Sequence, residues 1–322
     1  MTGRPNILFL QTDQMSAPSL EPYGGPAITP VISRLAAEGA VFEDFYCNYP
    51  LCAPSRFSMM AGKLSSRIGA YDNGAEFPAS VPTFAHYLRA AGYRTCLSGK
   101  MHFIGPDQHH GFDERLTSEL YPGDFVWTPD WDGKKKQDTN TPILVEKAGL
   151  CTGSVQMDFD EHVAERACTW LENNAAGDDP FLLAVSFTHP HDPYVCPDPY
   201  WSWYDGVDIP PPDPSPATDP HSILMLQSFG LEGIDFRPEQ IAAARRGYLG
   251  SCSYVDAKIG AVLAALDRTG QAENTIVVLT SDHGDMQGHK GLWAKKVFFE
   301  QSLKVPFIIQ APSRVAPLAK PG

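Results

Sequence analysis

Two groups of polar residues in this sequence have the composition of a metal site. Thr12-Asp13-Gln14 follows the apolar run at residues 6–10, and Ser281-Asp282-His283 follows the apolar run at residues 275–280. Sites in open α/β sheets form beyond the carboxyl ends of the strands, so two such strands side by side would bring these groups together. Carboxylate and amide oxygens suit Ca²⁺ or Mg²⁺, and a histidine also admits Mn²⁺. Either aspartate alone could instead cap a following helix, but the repetition after two buried strands favours a metal site.

Cys52 belongs to a third group of residues that could carry chemistry. It lies in the stretch Leu-Cys-Ala-Pro-Ser-Arg at residues 51–56, where Pro54 suits the first turn of a helix that runs on to Gly62. Cys52 is therefore expected at a helix N-terminus, where the helix dipole and free amides favour an anion. On the residue alone, a buried free cysteine and a thiolate nucleophile remain alternatives.

The elements that must position these residues alternate between strands and helices. Short apolar runs predict buried strands at residues 6–10, 181–187 and 275–280, and two further strands are predicted at residues 93–97 and 305–309. Proline near the start, glycine at the end and apolar residues at helical spacing predict helices over residues 30–39, 83–91 and 238–267. We therefore predict an α/β fold with a mainly parallel central sheet flanked by helices.

Two segments and the end of the chain depart from this alternation. Residues 104–160 show little periodicity, and residues 196–220 are rich in proline. We interpret both as long loops that form lids or pocket walls. The sequence stops shortly after a predicted strand, with no closing helix. We interpret residues 1–322 as one catalytic α/β domain that is truncated at its carboxyl end.

Composition limits the partners that we expect. The chain has 25 basic and 38 acidic residues and a net charge of −13, which makes nucleic acid an unfavourable partner. Its seven cysteines are irregularly spaced and do not resemble a disulfide framework. The sequence has neither a signal-peptide pattern at its start nor an apolar run of the roughly 18 residues that a membrane span needs. We expect a cytoplasmic protein without a membrane partner.

The stretch Cys-Ala-Pro-Ser-Arg at residues 52–56, followed by Ala-Gly-Lys at 61–63, resembles the signature of type I (formylglycine-dependent) sulfatases of the alkaline phosphatase superfamily. Further motifs of that family follow in the family's order: Asp13-Gln14, Ser-Gly-Lys-Met-His at 98–102, Pro-His-Asp-Pro at 190–193, Asp-His-Gly at 282–284 and Gly-Leu-Trp-Ala-Lys at 291–295. The resemblance covers nearly the whole chain. It implies a sulfuric ester hydrolase with an alkaline-phosphatase-like catalytic domain, and a C-terminal subdomain that this sequence lacks.

The resemblance also implies two cofactors. Cys52 would be oxidised to formylglycine by a formylglycine-generating maturation enzyme, and the hydrated aldehyde would attack sulfur and later eliminate sulfate. One divalent metal, with Ca²⁺ expected first and Mn²⁺ or Mg²⁺ as alternatives, would be held by Asp13, Gln14, Asp282 and His283.

The remaining catalytic residues implied by the resemblance carry positive charge or protons. Arg56 would hold the formylglycine hydrate, while Lys100, His102 and Lys295 would surround the sulfate oxygens. His102 or His191 would act as the general acid or base, and the assignment between them is open.

Several stretches resemble the choline sulfatases within that family, among them Tyr-Asp-Asn at 71–73, Gly-Lys-Met-His at 99–102 and the segment at 188–194. This implies hydrolysis of choline sulfate, with Asn73 and Trp127 as substrate contacts and Trp127 as a cation–π wall for a quaternary ammonium. A homo-oligomer is a further expectation. The sequence departs from choline sulfatases at 137–144, which lacks their His-Asn stretch. A phosphonate monoester or phosphodiester hydrolase, or a catalytically inert sulfatase fragment, are the alternatives.

Overall fold

A twisted sheet of mostly parallel strands forms the centre of the molecule. The computed structural model describes residues 4–121, 141–175, 177 and 179–312. The strands are β1 Asn6–Asp13, β2 Ala40–Val41, β3 Arg94–Gly99, β4 Glu114–Arg115, β5 Gly149–Leu150, β6 Phe181–Pro190, β7 Val195–Cys196, β8 Thr275–Ser281 and β9 Phe307–Gln310. Within the described residues, seven of them form one sheet in the order β2-β9-β8-β1-β6-β3-β4, and β5 pairs with β7 separately.

The direction of the strands confirms the predicted α/β class. β1 is parallel to both β6 and β8, β3 is parallel to β6 and β4, and only β9 and β2 join the sheet antiparallel. All five predicted strands form within a few residues of their expected places. The central strand β6 is buried at all ten positions, which explains its continuous apolar sequence.

Helices cover both faces of the sheet, as the alternating side-chain directions of a strand require. They are α1 Pro30–Glu38, α2 Cys52–Ala61, α3 Ser65–Ile68, α4 Phe84–Ala90, α5 Thr141–Glu146, α6 Val155–Asn174, α7 Pro220–Ser228, α8 Pro238–Arg268 and α9 Glu300–Leu303. Leu8 and Leu10 of β1 belong to the core under α6 and α8. Ile7 and Phe9 of the same strand pack in the core under α2 and α4.

The segments interpreted as irregular contain more helix than we predicted. α5 and the start of α6 lie within residues 104–160, and α7 begins at the end of the proline-rich segment. α6 buries Met157, Val163, Ala167 and Trp170 at helical spacing, and the Ser154 hydroxyl caps it by accepting from the Met157 amide. The prediction of a continuous loop through residue 160 is therefore wrong at both of these helices.

Among the described residues, one helix is long and apolar enough to cross a membrane by length and composition. This is α8, where 72% of the relevant window is buried inside the protein. Leu249, Val255, Ile259 and Val262 of α8 contribute to the core on one side of the sheet. α8 therefore has the environment of a core helix.

Candidate active site

The carboxyl ends of β1 and β8 bring the two predicted polar clusters together. The two strands are parallel neighbours, with Gln11 opposite Thr280 and Thr12 opposite Ser281. Asp13 and Asp282 therefore leave the sheet at the same edge, and both are at most 1% exposed. The predicted side-by-side arrangement of these strands is confirmed.

Four ligand-type atoms meet at this point, from Asp13, Cys52, Asp282 and His283, and all lie within 4.8 Å of one another. His283 Nε2 is 3.8 Å from Asp13 Oδ1 and 3.7 Å from Asp282 Oδ1. The other ring nitrogen, Nδ1, lies 3.0 Å from the Gly284 carbonyl and donates to it, so Nε2 presents its lone pair to the carboxylates. Two carboxylates and a neutral imidazole fit a divalent cation such as Ca²⁺ or Mn²⁺.

Gln14 lies beside this cluster with its amide orientation fixed by carboxylates. Its Nε2 donates to Asp285 Oδ2 through a short hydrogen bond and to Asp192 Oδ2 at 3.3 Å. The amide oxygen consequently points the other way and accepts from Lys295 Nζ. That Gln14 gives this oxygen to a metal stays a prediction.

Cys52 is the first residue of α2, as the position of Pro54 predicted. Its Sγ lies 3.3 Å from His283 Nε2 and 3.9 Å from Asp13 Oδ1. Burial raises the pKa of the thiol, but the positive charges of Lys100 and Lys295 outweigh it and hold that pKa well below its usual value. The site is therefore built for an anionic group at this position.

Arg56 occupies the space between the two acidic residues. Nη2 lies 2.9 Å from Asp13 Oδ2 and Nε lies 2.8 Å from Asp282 Oδ2, while Nη1 donates to the Lys100 carbonyl at 2.6 Å and to Ser186 Oγ at 2.8 Å. The guanidinium is fully buried. One side chain thus connects residues of β1 and β6 with residues that directly follow β3 and β8.

Lys100 and His102 extend from the loop that follows β3. Lys100 Nζ pairs with Asp13 Oδ2 at 2.5 Å and lies 4.7 Å from the centre of the Tyr121 ring. His102 is 3% exposed, and its ring helps to lower the pKa of Cys52. In the described part of the chain, its ring nitrogens have no further hydrogen-bond partner. The loop therefore presents one ammonium and one imidazole to the reactive residue.

His191 and Lys295 close the opposite side of the site. His191 Nδ1 lies 2.8 Å from the Asp192 carbonyl, to which it donates, so Nε2 accepts from Lys295 Nζ at 2.5 Å. Burial lowers the pKa of Lys295, but the negative charges of Cys52, Asp192 and Asp13 outweigh it and raise that pKa. We infer an ammonium at Lys295 that is shared between His191 and Gln14.

The structure thus brings together ten of the twelve residues that we predicted for the site: Asp13, Gln14, Cys52, Arg56, Lys100, His102, His191, Asp282, His283 and Lys295. Asn73 lies behind the site, where its Oδ1 accepts from the Ala53 amide at 3.1 Å and so holds the start of α2. Trp127 lies outside the described residues. A direct role of Asn73 or Trp127 in substrate binding stays a prediction.

Three residues of the site were not in the predicted set. Asp285 orients Gln14, and its two oxygens also accept from the Tyr194 hydroxyl and the Gln287 amide. Tyr121 places its ring beside Lys100, with ring centres 6.0 Å from His102 and 6.3 Å from His191. Asp192 receives the second hydrogen bond of Gln14. Asp285 follows Asp282 by three residues, so its place in the same motif was the signal that could have found it.

A mainly parallel α/β sheet with a cluster of possible metal ligands and a buried cysteine at its carboxyl edge agrees with the alkaline-phosphatase-like class that the sequence motifs resemble. Within that class, the family model described as "Sulfatase" matches residues 5–321, and the chain belongs to the sulfatase family. The predicted family is confirmed.

A curated relative agrees with this assignment, and solved structures agree with the fold. The chain is 43% identical over 334 residues to the choline-sulfatase of Rhizobium meliloti (strain 1021), covering 98% of this chain and 64% of that protein. The phosphonate monoester hydrolase structure from Agrobacterium radiobacter has a TM-score of 0.74 at 23% identity, and covers 96% of this chain and 68% of that one. The phosphonate monoester hydrolase SpPMH from Silicibacter pomeroyi has a TM-score of 0.73 at 25% identity, with the same coverages. The chain spans 64% of the length of the Rhizobium meliloti protein.

Proposed function

We propose that this protein hydrolyses a small alkyl sulfate ester, with choline sulfate as the first candidate, to the alcohol and inorganic sulfate. The observation that carries the proposal is the charge around Cys52. The ammonium groups of Lys100 and Lys295 act on one buried Sγ atom, in a chain whose net charge is −13. Two buried cations that act on the same atom, inside an acidic protein, suit a small anion and disfavour a polyanion. The 43% identity to a choline-sulfatase supports the choice of substrate.

The proposal includes a divalent metal and a modified Cys52. Asp13, Asp282 and His283 would hold the cation, with Gln14 as the adjoining amide, and Ca²⁺ is the first candidate before Mn²⁺ and Mg²⁺. The cation would supply positive charge beside the nucleophile. A formylglycine made from Cys52 would supply a geminal diol, of which one hydroxyl displaces the alcohol from sulfur and the other is deprotonated as the C–O bond to sulfate breaks. The Cys52 Sγ atom stands in for those oxygens.

The side chains of the site would then divide the remaining work. Arg56 is held rigidly between Asp13 and Asp282, so it keeps the two carboxylates in place while the charge at Cys52 changes. Lys100 and Lys295 both act electrostatically on Cys52 and would stabilise the sulfate oxygens.

His191 and His102 supply the two positions for protons. The Lys295 ammonium donates to His191 Nε2, so we assign His191 to protonating the departing alkoxide with a proton that it receives from Lys295. His102 has no other hydrogen-bond partner among the described residues, which suits it to accept a proton from the formylglycine hydrate. An alkoxide is a poor leaving group, so the acid matters most for alkyl esters.

The test is coexpression of the 322-residue chain with a formylglycine-generating enzyme, followed by a mass spectrum of the peptide around Cys52 and an assay of sulfate release. We expect conversion of the thiol to the aldehyde, and turnover of choline sulfate that the Cys52→Ser control lacks. Serine keeps a hydroxyl nucleophile but cannot eliminate sulfate as an aldehyde. An unmodified thiol together with no turnover, or equal turnover by Cys52→Ser, would refute the proposal.

A second candidate function is hydrolysis of phosphonate monoesters or phosphodiesters. It is favoured by the TM-score of 0.73 to SpPMH at 25% identity. Rates on an aryl sulfate and on an aryl phosphodiester separate the two candidates, because the sulfatase proposal requires the sulfate to be the better substrate. Activity on neither ester, in protein whose intact mass shows the aldehyde, would identify an inert sulfatase fragment. A cytoplasmic location and assembly into a homo-oligomer remain proposals.

A further inference from the structure

The carboxylate of Glu119 lies against the loop that carries Lys100 and His102. Its Oε1 accepts from the Met101 amide at 3.0 Å and from the Phe103 amide at 3.3 Å, the two backbone N–H groups on either side of His102. The side chain is 6% exposed. A single buried oxygen thus holds the backbone before and after a predicted catalytic residue.

The backbone at His102 explains why such an acceptor is needed. His102 has a φ of 61°, a left-handed conformation that side-chain-bearing residues adopt at a cost. A left-handed residue turns neighbouring N–H groups towards the same side of the chain, where they form a concave site for an anion. The Glu119 carboxylate is the anion in that concavity, so it stabilises the conformation that aims the His102 ring.

Arg115 fixes Glu119 in this position. Arg115 Nη2 lies 2.6 Å from the same Oε1 atom, Nε donates to the Thr117 carbonyl, and Nη1 donates to Gln108. Three donors therefore converge on Oε1, while Oε2 is buried and has no hydrogen-bond partner among the described residues. All three hydrogen bonds end on Oε1, so they depend on the length of the Glu119 side chain and not on its second oxygen.

We infer that Glu119 is a positioning residue for His102, which acts by holding the backbone on both sides of it. This inference rests on the proposed sulfatase activity for its kinetic readout. Lys100 is held independently, since its amide donates to the Ser186 carbonyl and its carbonyl accepts from Arg56. The metal ligands make no contact with Glu119 in the described structure. Loss of Glu119 should therefore affect kcat, with little change in metal affinity.

Two variants separate the effect of the length of the Glu119 side chain from the effect of its charge. Glu119→Gln removes the charge but keeps an oxygen at the Oε1 position, with its NH₂ at the place of the unpartnered Oε2. Glu119→Asp keeps the charge but withdraws the oxygen by one methylene. We expect Glu119→Gln to stay within about 3-fold of the wild-type kcat, and Glu119→Asp to lose roughly 10–100-fold, the usual effect of losing a supporting partner of a catalytic group. KM and metal affinity should change little in either variant.

A double-mutant cycle tests whether the effect acts through His102. In a His102→Ala background, Glu119→Asp should cost much less than in the wild-type background. An activity-independent measurement is the NMR resonance of the His102 ring in histidine-labelled protein, which should move in Glu119→Asp and not in Glu119→Gln.

Three results would overturn the inference: unchanged turnover and an unchanged His102 resonance in Glu119→Asp, a loss in Glu119→Gln as large as in Glu119→Asp, or a full effect of Glu119→Asp without His102. Absence of turnover in the wild type would instead refute the proposed function, and the NMR comparison would still decide the role of Glu119.

Discussion

Replacing Arg56 by methionine should tighten metal binding while it destabilises the metal-free protein. Arg56 is fully buried and pairs with both Asp13 and Asp282. Without it, Asp13 keeps its pair with Lys100, but Asp282 keeps no cationic side chain among the described residues, beyond the amides of Gln14 and His283 and the His283 ring. Methionine fills much of the same volume without charge, so the variant isolates the electrostatic contribution.

The size of the change in metal affinity depends on how Asp13 and Asp282 are neutralised once the Arg56 guanidinium is gone. In the metal-free protein, breaking a buried pair costs roughly 3–5 kcal/mol of unfolding free energy, because a carboxylate is left without its partner. With metal present, the cation neutralises the same carboxylates, so the remaining loss is the two hydrogen bonds to the Lys100 carbonyl and Ser186, about 2 kcal/mol together. The difference of about 1–3 kcal/mol corresponds to a metal Kd that is tighter by roughly 5–150-fold.

The assay is calorimetric titration of the folded, chelator-treated proteins with Ca²⁺, Mn²⁺ and Mg²⁺, together with Tm measured with and without metal. For a domain of this size, a loss of 3–5 kcal/mol lowers Tm by roughly 6–10 °C in chelator. Arg56→Lys is the matched control, since it keeps the charge and loses the forked hydrogen bonds, and its metal affinity should stay near that of the wild type. Weaker metal binding by folded Arg56→Met, or the same loss of Tm with and without metal, would refute the reasoning.

Three further predictions concern proton transfer, stability and specificity. His191→Ala should lower kcat far more for an alkyl sulfate than for an aryl sulfate with a good leaving group, and steady-state rates on both esters test this; equal losses would contradict its role as the acid. Asp256 accepts from the Val31 and Ile32 amides at the start of α1, and burial raises the pKa of its carboxyl to about 6. The folded protein therefore binds this proton more tightly than the unfolded one, so the unfolding free energy of the wild type relative to Asp256→Asn should fall by about 2 kcal/mol as pH rises from 4 to 7; denaturant titrations at both pH values measure this, and a flat difference would contradict it. Trp127→Ala should raise KM for choline sulfate by roughly 2–30-fold while sparing a neutral aryl sulfate, the expected loss of a cation–π contact of about 0.5–2 kcal/mol; equal effects on both substrates would argue against an ammonium pocket.

The residues of the site that the sequence predicted lie directly after strands or at the start of a helix. Asp13 and Asp282 each follow a continuous apolar run, and parallel neighbours bring such residues to one edge without further information. Cys52 was placed correctly because Pro54 marks the first turn of α2. In these cases the burial of the neighbouring strand or helix produces the apolar sequence pattern. The same burial also fixes where the residue lies in the folded protein.

The parts that the sequence did not predict depend on contacts between distant segments. Gln14 presents its oxygen to Lys295 because Asp285 and Asp192 take its NH₂ group, and no local pattern indicates that pairing. Helix α6 was missed in part because Asp160 occupies a core position in an otherwise apolar face. Asp160 is tolerated there because it accepts from the Thr188 and His189 amides of β6, a partnership that exists only after folding.

Several buried carboxylates near this site hold neighbouring groups in place by accepting hydrogen bonds, although residue type alone would suggest general acids or bases. Asp160 and Asp285 accept hydrogen bonds on both oxygens, from Thr188 and His189 in one case and from Gln14 and Gln287 in the other. An amide at either position must turn an NH₂ group towards another donor, so asparagine is a poor substitute there. Glu119 accepts on one oxygen only, so glutamine keeps the three hydrogen bonds and loses only the charge of the pair with Arg115. The number of oxygens in use therefore separates Glu119, where an amide keeps the hydrogen bonds, from Asp160 and Asp285, where it does not.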